Sequence, residues 1–265
     1  MKIGNRLFFV TGDLTQTIIE SMYVYTFNQK VADDLGIEDP YTVVNEGRWT
    51  LDYVRKQTAD LGTDRNGDGK MDACDFWGLS TYQVNGMDNY MQGARVSMMG
   101  RDADDVPLLD VDMNRMTSLV EKVYALCFEN PGCYVEEGGN YDITYAVFKA
   151  DRALYTTMMM SQVRTELADM ESDFGILPYP KLDETQSAYG TRVQDGLTIF
   201  AVPIDCQKVE ITGAVMEAMA AENYRKVTPA VYDVAMKTKY SRDPASAAMI
   251  DLIQQSVLIN FESIY

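Results

Sequence analysis

The residues best equipped for chemistry lie between Asp64 and Asp75, in the run DRNGDGKMDACD. Oxygen-bearing side chains fall at the first, third, fifth, ninth and last positions of this loop: Asp64, Asn66, Asp68, Asp72 and Asp75. Gly69 stands sixth, where a cation-wrapping loop must turn sharply, and Lys70 stands seventh, where the backbone carbonyl is the ligand. Met71 follows as an apolar anchor. Calcium takes about six to eight oxygens in flexible geometry, and this spacing supplies them. The pattern therefore predicts a structural Ca2+ clip. Aspartate at the last position is shorter than the glutamate usual there, which weakens the bidentate contact. The competing reading is a solvated turn rich in Asp, Asn and Gly. Only one helix is expected beside the loop, so no groove-opening switch is implied.

Elsewhere the composition mostly excludes. There is no histidine, which removes Ser-His-Asp and Cys-His catalysis and histidine-based zinc sites. The four cysteines form no C-x-x-C pair. Cys127 and Cys133 flank the Asn130-Pro131-Gly132 turn; a local disulfide and two ordinary packed thiols both fit that spacing. Forty acidic against 23 basic residues leave a formal charge of -17, which argues against nucleic acid and anionic membranes as partners. No apolar run approaches the ~20 residues of a membrane span, and no signal peptide is visible after Met1. No nucleophile elbow or phosphate-binding glycine loop occurs. A carboxylate pair for glycoside hydrolysis can always be chosen from so many acids, so their abundance is no evidence for one.

The elements that must position these groups are organised around residues 173–205. Two apolar runs, Phe174–Leu177 and Leu197–Val202, are each bounded by Gly or Pro and read as buried strands that join two structural units. Upstream, Arg6–Val10 and Met22–Phe27 read as strands. Asn28 caps a helix that stops at Leu35 with Gly36 as its left-handed terminus. Thr50 caps a helix to about Asp60. Trp49 and Trp77 are read as packing residues. Asp112 opens a helix with Met116, Leu119, Val120, Val123 and Cys127 at helical spacing. Ala153–Tyr155 reads as a short strand, followed by a helix over Met158–Ala168. Downstream, Ile211, Val215 and Met219 share a helical face. Thr228-Pro229 and Asp243-Pro244 are helix-start signals, the second leading to an apolar face of Met249, Leu252, Ile253 and Val257.

Taken in order, GNRLFFVTGD, YVYTFNQKVADDLGI, EGRWTLDYV, NGDGK, DFGILPYPKLDE and the run Gly196–Pro203 resemble the family 1 extracellular solute-binding proteins of ABC importers. The resemblance implies an α/β, periplasmic-binding-protein-like type II fold. Two lobes are joined by crossing strands, one lobe nearly complete and the other partial, as in a piece of a longer protein. Residues 1–12 become the first crossing strand, 13–172 the α/β lobe, 173–205 the return crossing and 206–265 the helical part of the other lobe. The implied function is non-enzymatic capture of a small solute, a sugar or oligosaccharide first, in an interlobe cleft, and delivery to an ABC permease. It also implies an extracellular or lipid-anchored cell-surface location for the full-length protein. By position, the cleft residues are Thr11, Asp13, Tyr82, Asn85, Thr157, Met158, Arg192 and Asp195. The Asp64–Asp75 loop itself resembles those of dockerin modules. A calcium-stabilised cell-surface interaction module and a carboxylate-based glycoside hydrolase are the alternative functions.

Overall fold

The structure is a computed structural model that describes residues 2–4, 6–83, 86–231 and 244–259. It opens with a small antiparallel pair, β1 (Lys2–Ile3) and β2 (Arg6–Leu7), and a single turn of helix, α1 (Thr17–Glu20). Strand β3 (Tyr23–Asn28) follows, then α2 (Gln29–Leu35), α3 (Pro40–Asn45), α4 (Leu51–Thr58), β4 (Trp77–Tyr82) and α5 (Asn89–Gly93). A small hairpin, β5 (Met99–Arg101) and β6 (Pro107–Leu109), precedes the longest helix, α6 (Met113–Cys127). Next come β7 (Cys133–Glu136), α7 (Tyr141–Lys149), β8 (Ala153–Met159), α8 (Met160–Glu166) and β9 (Phe174–Leu177). The last part holds β10 (Thr191–Arg192), α9 (Val209–Glu222), α10 (Pro244–Gln255) and β11 (Val257–Leu258).

Five strands form one sheet in the order β7-β4-β8-β3-β9. Strands β7, β4 and β8 pair in parallel, and β3 runs against both β8 and β9. Alternation along the strands feeds two cores. Tyr23, Tyr25 and Phe27 face one side, where α2, α3, α4 and α6 pack; Met22 and Val24 face the other, with α7, α8 and α10. A sheet covered on both faces explains why its central strands carry almost no exposed residue.

Local signals place the helices. Asn28 accepts from the Val31 N–H at 3.0 Å, and Gly36 ends α2 in the left-handed region at φ 62°. Thr50 caps α4 by accepting from Tyr53, and Asp112 caps α6. The C-terminal end of α4 lies hard against β4 and the turn before β7. A Cβ added to Gly132 would sit 1.7 Å from the Thr58 carbonyl oxygen, so only glycine permits that approach.

Several expectations are corrected. Strand β8 runs on through Met159, so the following helix begins at Met160 rather than Met158. The β-branched Thr156 and Thr157 are drawn into the sheet because β3 pairs with them. Leu197–Val202 forms no ladder; it is an extended segment bridged to the N-terminal segment through Val10 and Phe200, whose N–H groups donate to each other's carbonyls at 3.0 and 2.8 Å. The Arg6–Val10 strand shrinks to Arg6–Leu7 plus that bridge. Helical structure passes through Thr228-Pro229 instead of starting there. The turn immediately before is π-helical over Asn223–Val227, a widening that accommodates a proline lacking its N–H. Asp243 lies outside the described residues, while α10 begins at Pro244 as expected.

The segment 206–265 divides in two. Helix α10 packs on β9 and α3 and buries Met249, Ile250 and Ile253 in the cores of the main sheet. Helix α9 buries none of its residues, and its expected face of Ile211, Val215 and Met219 is 60%, 52% and 44% exposed. Both tryptophans are interior, as read from the sequence. All four cysteines are free thiols; Cys127 and Cys133 sit side by side in the core, and their hydrogen bond together with burial pushes the Cys133 thiol well up.

Candidate ligand-binding site

The carboxyl ends of β4 and β7 lie together, and in sheets of this kind that edge is where ligands bind. Strand β4 ends at Tyr82 and β7 at Glu136. The Glu136 carboxylate is buried and accepts from the N–H groups of Gly138 and Asn140 at 2.9 and 2.7 Å. That pair of bonds shapes the turn that delivers Tyr141 to the start of α7. The Tyr141 ring lies 5.7 Å from that of Tyr82 and 6.0 Å from that of Tyr145, with 43% of the residue exposed. Tyr82 and Tyr145 are buried behind it, and burial raises both phenols, so they stay protonated as donors at neutral pH. The Tyr145 hydroxyl donates to Gln162 at 2.8 Å.

A charged group stands beside these rings. Arg192 on β10 is buried, with its guanidinium 5.6 Å above the Tyr23 ring. It donates to Asp195 at 2.8 Å and lies 3.9 Å from Asp88. Both carboxylates are exposed, at 64% and 62% of their side chains, so a buried cation holds two acceptors at the surface. Tyr23 belongs to the same cluster. Burial raises its phenol, and the Arg192 charge opposes that rise. Chemically, the arrangement offers an aromatic face and oriented carboxylate acceptors, a combination suited to stacking on a ring and fixing hydroxyl groups.

Of the residues expected at a cleft, the structure brings Tyr82, Arg192 and Asp195 together. Thr157 and Met158 are fully buried in β8: the Thr157 hydroxyl pairs with that of Thr81 at 2.8 Å, and Met158 packs in the core. They support the site from within instead of facing it, because β8 is the central strand of the sheet. Thr11 and Asp13 are engaged elsewhere, Thr11 donating to the Thr198 carbonyl and Asp13 accepting from the Thr228 hydroxyl, both at 2.7 Å. Asn85 lies outside the described residues. Sequence reasoning passed over Tyr23, Asp88 and Tyr141. A tyrosine directly after Gly138-Gly139-Asn140, in a turn following a strand, was the available signal for the last of these.

The loop at residues 64–75 takes the sharp turn expected of it. Gly67 and Gly69 have φ of 72° and 78°, and the Asp64 carboxylate accepts from the N–H groups of both, at 2.6 and 2.9 Å. Asp75 is buried and accepts from the N–H groups of Arg65 and Asp72, which lowers its pKa. Among the described residues no three acidic, Cys or His side chains converge as a metal cluster. The loop's carboxylates are turned to its own backbone N–H groups; Asp68 and Asp72, for example, accept from Lys70 and Cys74.

The fold, mixed α/β around a mixed sheet, matches the periplasmic-binding-protein-like folds of solved solute-binding proteins. The chain is similar to M. tuberculosis UspC, at TM-score 0.61 and 14% identity, over 88% of this chain and 62% of that one. It is also similar to M. tuberculosis UgpB in complex with glycerophosphocholine, at TM-score 0.57 and 12% identity, over 92% and 60%. A third similar structure is the maltose/maltodextrin-binding domain MalE from Bdellovibrio bacteriovorus bound to maltotriose, at 0.51 and 16%, over 89% and 55%. The chain thus spans roughly three fifths of the length of each or slightly less. No family model and no curated protein matches the sequence. Among the described residues no helix is long and apolar enough to cross a membrane.

Proposed function

We propose that this chain is the larger part of a solute-binding component of an ABC importer, without enzymatic activity, and that its solute is a carbohydrate. The observation that carries the reading is the cluster at the carboxyl ends of β4 and β7, where Tyr141 stands before Tyr82 and exposed Asp88 and Asp195 are held by buried Arg192. A tyrosine face stacks on a sugar ring, and the carboxylates accept from its hydroxyls. The solute is captured between this surface and a second lobe, and the closed protein docks on a permease outside the membrane. The side-by-side crossings at Val10 and Phe200 are the segments about which closure would occur. Similarity to a maltotriose-bound structure supports the choice of ligand class.

The experiment is thermal unfolding of the full-length protein against mono- and oligosaccharides, with product analysis in parallel. A saturable rise in melting temperature with one sugar class and no product is expected. Turnover would instead identify a hydrolase, and a response to no sugar would remove carbohydrate as the ligand class.

We further propose that Ca2+ clips the 64–75 loop, with Asp64, Asn66, Asp68, Asp72 and Asp75 as side-chain ligands and Lys70 through its carbonyl. The left-handed Gly69 supports this reading. Binding requires the carboxylates to exchange their backbone partners for the ion. The melting temperature is then expected to rise in calcium relative to chelator, because the ion binds only the folded loop. Superimposable melting curves would eliminate the site.

A further inference from the structure

Lys181 is an unusual lysine. It is 4% exposed, in a protein of net charge -17, yet among the described residues neither it nor its neighbour Arg95 forms an ion pair. Its ammonium donates one hydrogen bond, to the Gln186 carbonyl at 2.8 Å, and lies 5.6 Å from the centroid of the Tyr189 ring. An ammonium has three donors, so two remain. Arg95 spends one N–H on the Tyr189 carbonyl at 3.0 Å. Both side chains line a cavity of about 400 Å³ between the end of α3, the 181–189 loop and the end of α10. Asn45, Ser187 and Gln255 complete its polar wall, and no acidic residue lines it. The cavity shares no lining residue with the Tyr82–Arg192 cluster.

The backbone is shaped around this cation. Gly47 has φ of 73°, and a Cβ there would come within 3.3 Å of the Lys181 Nζ. Arg95 itself takes a left-handed φ of 51°, which is costly for a residue with a side chain. A buried cation without an anion is destabilising, and an oxyanion in the cavity would offset that cost through charge-assisted hydrogen bonds.

We propose that this cavity binds a small oxyanion of the phosphate type, held by Lys181 from the floor and by Arg95 from the exposed rim. The remaining donors of the two cations, together with the polar wall, outnumber what the two oxygens of a carboxylate use, which favours an anion with three or four acceptor oxygens. The site is separate from solute capture and does not depend on the ligand assigned to that cluster.

The test is titration of the 265-residue chain with sodium phosphate, followed by calorimetry and thermal unfolding, against sodium chloride at equal ionic strength. Sulfate and acetate form parallel arms. A saturable heat is expected with phosphate, with a melting shift of about 3 °C at roughly ten times Kd. Sulfate is expected to follow phosphate, and acetate to bind more weakly. Lys181→Met and Arg95→Gln are each expected to weaken phosphate binding by about tenfold or more. Arg95 is exposed, so its variant keeps the test decisive even if Lys181→Met fails to fold. A phosphate response no larger than that of chloride would overturn the proposal, as would a response retained in both variants. Acetate binding more tightly than phosphate would overturn the assignment of a phosphate-type anion.

Discussion

Trp49→Ala is expected to cost about 3–5 kcal/mol of stability and to lower the melting temperature by roughly 10 °C. Trp49 is fully buried at the entry to α4. Its ring lies 5.8 Å from Tyr25 on β3, 5.3 Å from Tyr155 on β8 and 6.0 Å from Tyr53 on α4. Truncation therefore empties a space walled by two central strands and a helix, which cannot collapse without breaking their pairing. The indole N–H also donates to the Pro178 carbonyl at 2.9 Å, tying the α4 entry to the segment after β9. Trp49→Phe separates the two contributions. It retains much of the ring volume and loses the hydrogen bond, so a smaller loss of about 1–3 kcal/mol is expected. Chemical denaturation of the three proteins measures both. A Trp49→Ala protein within about 1 kcal/mol of the parent, below the ~2–5 kcal/mol usual for large core truncations, would contradict the packing described here.

The second large effect concerns binding. In the full-length protein, Arg192→Met is expected to weaken the responsive sugar by about 10–100-fold while leaving the fold intact. Arg192 is buried and acts through others. It orients Asp195 at 2.8 Å and Asp88 at 3.9 Å, and its charge lies over Tyr23. Both carboxylates are mostly exposed, so losing their partner leaves no buried anion behind, but the buried Asn89 Oδ1, 3.4 Å from Arg192, gives up a donor, at a cost of about 1–3 kcal/mol of stability. A purely structural role would lower the melting temperature of the ligand-free protein and leave the affinity of the folded protein unchanged. Arg192→Lys keeps the charge but not the planar fork, and is expected to recover only part of the affinity. Unchanged affinity in Arg192→Met would dissociate the cluster from ligand binding.

Features governed by residues a few positions apart could be read from the chain. Asn28, Gly36, Thr50 and Asp112 cap their helices where expected, because each cap is a bond between a side chain and a backbone group within a turn of it. The strands at residues 23–28 and 174–177 were visible in their β-branched and aromatic runs. Apolar periodicity was less informative where it needed a partner to mean anything. The faces of α9 and α10 look alike in sequence, yet α10 enters the core and α9 does not. The end of β8 was misjudged because Thr156-Thr157-Met158 has no decisive local preference; pairing with β3 settled it.

The candidate site was only half legible for the same reason. Tyr82, Arg192 and Asp195 could be placed by their order along a resemblance, but Asp88 reaches Arg192 across more than a hundred residues of chain, and Tyr141 is set by the buried Glu136 carboxylate. The first relation leaves no mark in local spacing; the second is marked only by the Gly138-Gly139-Asn140 turn, which does not tell where the tyrosine will face. Lys181 shows the limit most plainly. In sequence it is one lysine among acidic neighbours, and solvation would be its expected state. By itself the sequence determined the caps, the turns, most strands and the absence of histidine chemistry, all of which depend on composition or on contacts within a few residues. The tertiary structure alone decided which side chains leave water, since burial depends on elements distant in the chain closing over them, and it thereby set Thr157 and Met158 inside, Tyr141 outside and the Lys181 cation within a cavity.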